Sequence, residues 1–558
     1  MDPQRRRDSE AAAAAARRDR ATAAASRAAE LLAAFQLPHR RNPPETAVAH
    51  LGPTNSGKSH DALQLLREVG AGTYAAPLRL LAHEAYTRLA ASLPPGSVGL
   101  RTGEEQLEPG APIVCCTTEL APLHGQVLVL DEVHWVDDPD RGWAWGRLLA
   151  AAEYRHHRLV GAANAEPVLR AAYGEQLEVR RHQRLVELTW DGTVDVAGVA
   201  PGSLVVAFSR KAVLALGREL QAAGKRTGVL YGALPPGARK AQIERFLAGE
   251  LDVLCVTDVI GHGINLPAET VVMAETSKYD GQRRRSLHLW ELAQIVGRAG
   301  RYGLAERGRA QVLRGVAGLD ANASLVRQAV EAAGGARSAG PGITAAPIRP
   351  TLHDLHATDA RDLLAAVQAW ERAAGGALAG HGWLRAASLR AVALRLELLD
   401  RERLLDGLEV DDAWRLATLS VEDDGAVVEL ARHLTQGGRA LGRPRLRSLD
   451  PAVTTGAEVG DVLAWAEQDA ARARGLAAMG RAFPSLASAT QDELLAAEQA
   501  AAQRIVEVLP GAVAASGFGR CGSCGRPCPP WTERCDRCSG RGPRLPPKRG
   551  GRPPGRRR

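Results

Sequence analysis

The sequence of 558 residues predicts an α/β protein built from two tandem parallel-sheet units, followed by an all-helical domain and a small cysteine-rich carboxy-terminal module. Three observations lead there. Short apolar runs alternate with amphipathic stretches from Ala47 to about residue 320, the pattern of strands covered by helices on both faces. Beyond a stretch rich in Gly, Pro and Ala, strand signals vanish and apolar residues recur at helical spacing. Five cysteines (Cys521, Cys524, Cys528, Cys535 and Cys538) crowd into one short segment near the carboxy terminus.

Taken in order, residues 1–44 form an Ala/Arg-rich arm, expected to be helical, that ends at Asn42-Pro43-Pro44. Strands are expected at 47–51, 113–116, 127–130 and 159–162, giving a first unit over 45–190. A second series at 203–208, 227–230, 253–256 and 270–274 gives a unit over 191–333. Each unit is expected to be RecA-like. Residues 334–350 read as a linker and 351–512 as the helical domain, where Leu363, Leu364, Val367 and Trp370 recur at i, i+1, i+4 and i+7. Thr490-Gln491-Asp492-Glu493 before Leu494-Leu495 predicts a capping box that opens a last helix to about Leu509. Residues 513–540 hold the cysteine module and 541–558 a basic tail. Trp370, Trp383, Trp414 and Trp465 sit among Leu and Val at helical spacing and are expected in the core rather than as base-stacking platforms.

Composition narrows the class. At 45% hydrophobic and 24% charged, the chain is ordinary for a globular protein. No apolar run approaches the ~20 residues of a membrane span, so no membrane partner is expected. The amino terminus has no apolar core of the secretory kind. Its Arg and Ala content faintly resembles an organelle transit peptide, but Asp2, Asp8, Glu10 and Asp19 argue against one, and a cytoplasmic protein is expected. The net charge of +8 resides in the tail: setting aside its eight basic residues leaves 63 against 63 acids. Such a tail supplies sequence-independent affinity for nucleic acid, or is simply a solvated end. Cys115, Cys116 and Cys255 lie in strand-like stretches and read as buried thiols.

The chemistry begins at Gly52-Pro53-Thr54-Asn55-Ser56-Gly57-Lys58-Ser59, a complete phosphate-binding loop between a predicted strand and a predicted helix. Gly57 lets backbone amides crowd the phosphates, Lys58 compensates their charge, and the Ser59 hydroxyl can ligate Mg²⁺. Asp131-Glu132 closes the apolar strand 127–130. A carboxylate there can hold Mg²⁺ and its neighbour can orient or deprotonate water. Gln294, Arg298 and Arg301 lie in the second unit, the two arginines spaced as fingers for the charge that develops on a transferring phosphoryl group. Together these predict ATP turnover at a cleft between the units. Cys521-x2-Cys524 and Cys535-x2-Cys538, ten residues apart, have the spacing of a tetrahedral four-thiolate Zn²⁺ site, with Cys528 as a spare or alternate ligand.

In order, the words Gly52–Ser59, Pro77-Leu78-Arg79-Leu80-Leu81-Ala82, Thr102-Gly103-Glu104-Glu105, Cys116-Thr117-Thr118-Glu119, Asp131-Glu132-Val133-His134, Tyr231-Gly232-Ala233-Leu234-Pro235-Pro236, Thr257-Asp258 through Asn265-Leu266-Pro267, and Gln294-Ile295-Val296-Gly297-Arg298-Ala299-Gly300-Arg301 resemble those of the ATP-dependent RNA helicases of the mitochondrial degradosome and their bacterial relatives, in superfamily two. The resemblance covers roughly 45–305 and is weaker in the helical region, at 408–422 and Gly480-Arg481-Ala482-Phe483-Pro484. It implies that Arg79, Thr102, Thr117 and Thr118 face the nucleic-acid backbone from the first unit and Thr257 from the second, with Asp258, Gly261 and Asn265 relaying nucleotide state. It also implies a 3′ to 5′ direction and partnership with an exoribonuclease such as polynucleotide phosphorylase. The box here reads Asp-Glu-Val-His, where the family often has Gln in place of His134. The cysteine module and basic tail are additions to that pattern, and no adenine-reading Gln motif precedes the loop.

The function expected is therefore an ATP-dependent RNA helicase acting on single-stranded RNA or a tailed duplex, with ATP, Mg²⁺ and Zn²⁺. Two alternatives stand beside it: a DNA helicase or translocase, since backbone-gripping motifs do not specify ribose, and an ATP-gated RNA-binding scaffold that recruits a nuclease.

Overall fold

The computed structural model describes residues 39–103, 105–257, 266, 268–279, 283–300, 307–314, 316, 319, 321–334, 340–350, 360–373, 382–419, 421, 424–437, 446–447, 459–487, 489–515, 519–520, 523–524 and 527–528. The amino-terminal arm and the basic tail lie outside them.

The first unit is a sheet of eight strands: β1 (Thr46–Leu51), β2 (Gly72–Ala76), β3 (Val98–Arg101), β4 (Gln106–Leu107), β5 (Ile113–Thr117), β6 (His124–Leu130), β7 (Glu153–Gly161) and β8 (Leu177–Arg181). Their spatial order is β4-β3-β5-β2-β6-β7-β1-β8. Every pairing is parallel except β3 with β4. Parallel strands buried on both faces need unbroken apolar runs. Val127, Leu128, Val129 and Leu130 of β6 meet that need and are fully buried. One face of the sheet is covered by helices Lys58–Val69 and Arg79–Ala90, through Leu63, Leu66, Ala82 and Leu89. The other is covered by Gly142–Ala151, through Trp145, Leu148 and Leu149.

The second unit opens with β9 (Glu187–Asp195), followed by β10 (Ser203–Val206), β11 (Thr227–Leu230), β12 (Val253–Val256), β13 (Thr270–Met273), the hairpin β14 (Ser277–Tyr279) and β15 (Arg284–Ser286), and β16 (Arg307–Arg314). Its main sheet runs β11-β12-β10-β13-β16-β9, all parallel. The strands read from sequence are the ones with unbroken apolar runs. β2 and β3, although buried, and β8, β9 and β16 escape that reading because Gly, Thr, Glu or Arg interrupts or flanks their apolar residues, and their pairing rests on tertiary neighbours.

The helical region divides between two cores. Leu363, Val367, Trp370, Leu396, Trp414, Leu430 and Phe483 form one core of their own. Helices Val459–Ala482 and Gln491–Ala515 instead bury Leu463, Ala466, Ala470, Ala473, Ile505, Leu509 and Val513 in the core of the second unit. The alanines let the helix pair approach closely. Gly217 of helix Arg210–Ala222 serves the same contact, since a Cβ there would lie 3.0 Å from Val513 Cγ1. The capping box at Thr490 forms in both directions: Glu493 N–H donates to Thr490 Oγ1 at 3.2 Å, and Thr490 N–H donates to Glu493 Oε2 at 2.9 Å. The helix continues to Ala515 through Pro510, past the expected end near Leu509.

Part of the stretch read as linker is docked rather than free. β17 (Ala346–Ile348) pairs with β18 (Leu384–Ala386), and Ala346 and Ile348 are buried. Pro347 packs on helix Gly142–Ala151 at Gly142 and Gly146, where a side chain would collide with it. Among the described residues no helix is long and apolar enough to cross a membrane. Of the four tryptophans, Trp370 and Trp414 are buried in the helical core, Trp383 packs against the first unit and Trp465 is half-buried.

Candidate active site

The phosphate-binding loop leaves the carboxyl end of β1, between β7 and β8, and enters helix Lys58–Val69. Gly57 caps that helix at φ 77°, a left-handed conformation that glycine adopts without strain. Lys58 is buried and its Nζ donates to Pro53 O at 2.8 Å. Burial lowers its pKa, opposed by the charges of Glu132 and Asp131. Such a lysine gains from an anion in the loop.

Asp131 directly follows β6 and is 4% exposed. Tyr74 Oη donates to its Oδ2 at 2.5 Å and Glu132 N–H to its Oδ1 at 2.8 Å. Ser59 Oγ stands 3.4 and 3.5 Å from the two carboxylate oxygens. That separation is too long for a strong hydrogen bond, and the two groups would close to about 2.9 Å to sit as neighbours on one octahedral Mg²⁺ with bonds of about 2.0–2.1 Å. Burial, then the Glu132 charge, pushes the Asp131 pKa up to about 6. Burial acts in the same direction on Glu132, but the charges of His134, Lys58 and Arg298 outweigh it and hold that carboxyl below its ordinary value. Glu132 therefore stays ionised beside a carboxyl that protonates more readily. Its φ of 48° is left-handed, an unusual conformation for a non-glycine residue and common at functional positions.

The second unit closes on this loop. The His134 ring Nε2 lies 2.6 Å from the Gln294 side-chain amide nitrogen, and its Nδ1 accepts from Ala162 N–H at 3.3 Å. Gly297 approaches Thr54 so closely that a Cβ would overlap Thr54 Oγ1. Asn55 Nδ2 donates to Gly300 O. The charge of Arg298 bears on both Lys58 and Glu132. Gln294, through His134, and Arg298, through its charge on Lys58 and Glu132, thus face the loop from across the cleft. The cavity between the units is about 730 Å³ and is lined by Gly52, Pro53, Thr54, Lys58, Glu132, His134 and Gln294 among others.

Two residues absent from the sequence reading belong to this cleft. Arg184, in the segment joining the units, donates to Thr54 O at 3.1 Å and to Gly297 O at 2.8 Å, and also to Ala299 O. It ties the loop to the arginine-bearing segment, and burial lowers its pKa to about 10. Trp290 lines the cavity and stacks against His288. An arginine at a unit boundary and a tryptophan one turn before Gln294 are visible in the sequence, but only the closed cleft gives them a partner.

The expected nucleic-acid contacts are unevenly displayed. Arg79 begins helix Arg79–Ala90 and is exposed. Thr102, Thr117, Thr118 and Thr257 are all buried. The Thr102 hydroxyl accepts from Glu105 N–H at 2.9 Å and holds its own turn, while Thr118 Oγ1 has no hydrogen-bond partner among the described residues. Asp258, Gly261, Asn265 and Arg301 lie outside the described residues, as do Cys521, Cys535 and Cys538. Cys524 is exposed, between the short antiparallel pair Gly519–Arg520 and Pro527–Cys528.

Two parallel-sheet units meeting at a phosphate-binding loop, an Asp-Glu pair and an arginine segment have the arrangement of two tandem RecA-like helicase domains. Comparison with known families agrees: residues 35–182 match the model of the DEXQ-box helicase domain of Suv3, and residues 194–303 match that of the helicase conserved C-terminal domain. It is 36% identical over 270 residues to the mitochondrial ATP-dependent RNA helicase SUV3 of Saccharomyces paradoxus, covering 46% of this chain and 36% of that protein. It is 35% identical over 276 residues to the mitochondrial DExH-box ATP-dependent RNA helicase DExH16 of Arabidopsis thaliana, covering 48% of each. The chain thus spans between about a third and a half of the length of these relatives.

The cytoplasmic location expected from the amino terminus is contradicted by these relatives, which are named as mitochondrial proteins. The four acids cited against a transit-like segment are outnumbered there, since seven arginines stand among the first 27 residues.

Proposed function

We propose that the protein is an ATP-dependent RNA helicase that couples ATP hydrolysis to movement along, and unwinding of, RNA. The observation that carries this reading is the convergence of Gln294, Gly297 and Arg298 of the second unit on the Gly52–Ser59 loop of the first. A nucleotide held by both units draws them together, and hydrolysis lets them part.

The residues fit Mg-ATP. Backbone amides of the loop and Lys58 receive the phosphates, and Ser59 with Asp131 would hold Mg²⁺, which supplies neutralisation of phosphate charge when bound. Glu132, kept ionised by its cationic neighbours, orients and deprotonates the attacking water. Arg298, with Arg301, stabilises the charge on the transferring group. His134 and Gln294 report across the cleft whether it is closed. Arg79, Thr102, Thr117, Thr118 and Thr257 grip the strand, and Asp258, Gly261 and Asn265 relay nucleotide state.

The four thiolates at Cys521, Cys524, Cys535 and Cys538 are proposed to hold Zn²⁺, on the strength of their spacing and of the short antiparallel pair that flanks Cys524. Metal analysis of purified protein should find about one zinc per chain, released as thiols are titrated. Zinc near zero with all five thiols freely reactive would remove this site. An exoribonuclease partner and a role in RNA decay complete the proposal, tested by co-purification of nuclease activity.

The decisive experiment measures ATP turnover alone, then with single-stranded RNA, single-stranded DNA and duplex DNA, alongside displacement of a 3′-tailed duplex. Stimulation by RNA with displacement is expected. Stimulation mainly by DNA would replace the proposal with a DNA translocase, and turnover without displacement with an ATP-gated scaffold.

A further inference from the structure

Beside the phosphate-binding loop, three metal-ligating side chains from three elements meet at a point that the ATPase chemistry does not use. His50 lies on β1, two residues before Gly52. His182 directly follows β8, and Asp61 lies in the first turn of helix Lys58–Val69. His50 Nδ1 stands 3.0 Å from His182 Nε2, with the ring centroids 5.2 Å apart. His182 Nδ1 is 3.8 Å from Asp61 Oδ2. One ring nitrogen of each histidine and one carboxylate oxygen of Asp61 all lie within 4.8 Å of one another.

The backbone sets this meeting. β1 and β8 pair in parallel, with His50 opposite Arg180. His182 N–H donates to Leu51 O at 2.8 Å. Gly52 passes so near that a Cβ would lie 2.5 Å from His182 O, so a larger residue there would push His182 off β1. His50 is 2% exposed and the His182 side chain 12%, which brings the two rings together away from bulk water. A hydrogen bond between two ring nitrogens uses one proton and one lone pair. It leaves His50 Nε2 buried with no hydrogen-bond partner among the described residues. Burial, then the charge of His182, lowers the His50 pKa to about 4, so its ring is uncharged at neutral pH and does not repel a cation. Two arginines nearby are engaged elsewhere: Arg180 with Glu178 at 2.6 Å, and Arg158 with Thr46 Oγ1 and His157 O at 3.0 Å each.

Two imidazoles and a carboxylate suit Zn²⁺, Co²⁺ or Ni²⁺, whereas Mg²⁺ prefers an all-oxygen shell. Bonds of about 2.0–2.1 Å at tetrahedral angles set neighbouring nitrogens about 3.3–3.4 Å apart, so the ring pair need open by only about 0.3–0.4 Å. The Asp61 side chain is 52% exposed and has room to swing inward.

We propose that His50, His182 and Asp61 form a transition-metal site of the two-histidine, one-carboxylate kind, which takes Zn²⁺ or Co²⁺ with water in the remaining position. The site needs neither ATP nor RNA, so it stands or falls independently of the helicase reading. A bound ion ties β1, β8 and the helix Lys58–Val69 together and stiffens the frame of the phosphate-binding loop.

The test is titration of the full chain with Co²⁺, followed by visible absorption. Co²⁺ on nitrogen and oxygen ligands gives ligand-field bands, whereas Co²⁺ on thiolates adds strong near-ultraviolet charge transfer, which separates this site from the cysteine module. The wild-type chain should develop ligand-field bands without added charge transfer. Zn²⁺ should bleach those bands, and excess Mg²⁺ should leave them unchanged. His182→Ala and Asp61→Asn should each weaken Co²⁺ binding by at least the roughly 10–100-fold that loss of an outer-shell partner costs. Zn²⁺ should raise the melting temperature of the wild type, and that rise should shrink in both variants, whose metal-free melting temperatures stay near wild type because both side chains reach solvent. No Co²⁺ uptake, absorption from thiolates alone, or bands and affinity unmoved in both variants would each overturn the site and leave the helicase reading intact.

Discussion

At Asp131, burial and function oppose each other. Its surroundings raise its pKa to about 6 from an ordinary 3.8, and a cation between it and Ser59 relieves the cost. Affinity for Mg-nucleotide should therefore fall as pH drops through about 6, which isothermal titration with a non-hydrolysable analogue between pH 5 and 8 will show. The effect on stability has the opposite sense. A carboxyl whose folded pKa is raised contributes fully below its unfolded value and loses that contribution as pH rises through about 6. Without nucleotide, Asp131→Asn should melt above wild type at pH 7.5, and the two should converge near pH 4. Lys58 poses the simpler question. Its Nζ is held by Pro53 O and is the natural donor to a bound phosphate. Lys58→Ala should cut turnover by about 10²–10³ while leaving RNA affinity without nucleotide within twofold. Unchanged turnover in that variant would refute the site.

At the scale of elements, the helix Gln491–Ala515 shows how local and distant forces divide the work. Its start is set by chemistry legible in four residues, Thr490 to Glu493, and both capping hydrogen bonds form. Thr490→Ala should cost about 1 kcal/mol, seen as a small shift in the denaturant midpoint with unchanged slope. Its end is set by packing. Proline removes a backbone donor and ordinarily breaks a helix, yet the helix passes Pro510 because Leu509, Ala512 and Val513 on either side are buried in the core of the second unit. The loop at Gly52–Ser59 belongs with the capping box. Its glycine and its place between strand and helix are local, so motif, position and conformation were all legible.

For the whole molecule, the helical region is not a separate body, because half of it completes the second unit. Ile505 is fully buried in that shared core. Ile505→Ala should destabilise by about 2–5 kcal/mol, and hydrogen exchange should show the loss in β10 and β11 as well as in the helix. Protection lost from the helix alone would mean that the two parts fold independently.

The sequence by itself determined the tandem RecA-like class, the loop, the Asp-Glu pair, the arginine segment and the strands with unbroken apolar runs, because each depends on residue type at short spacing. Only the tertiary structure decided which polar strands join the sheets, that residues 346–348 dock on the first unit, that Arg184 and Trp290 face the cleft, and that His134 meets Gln294. Those contacts join residues far apart in the chain, through pairing and burial that no local pattern encodes.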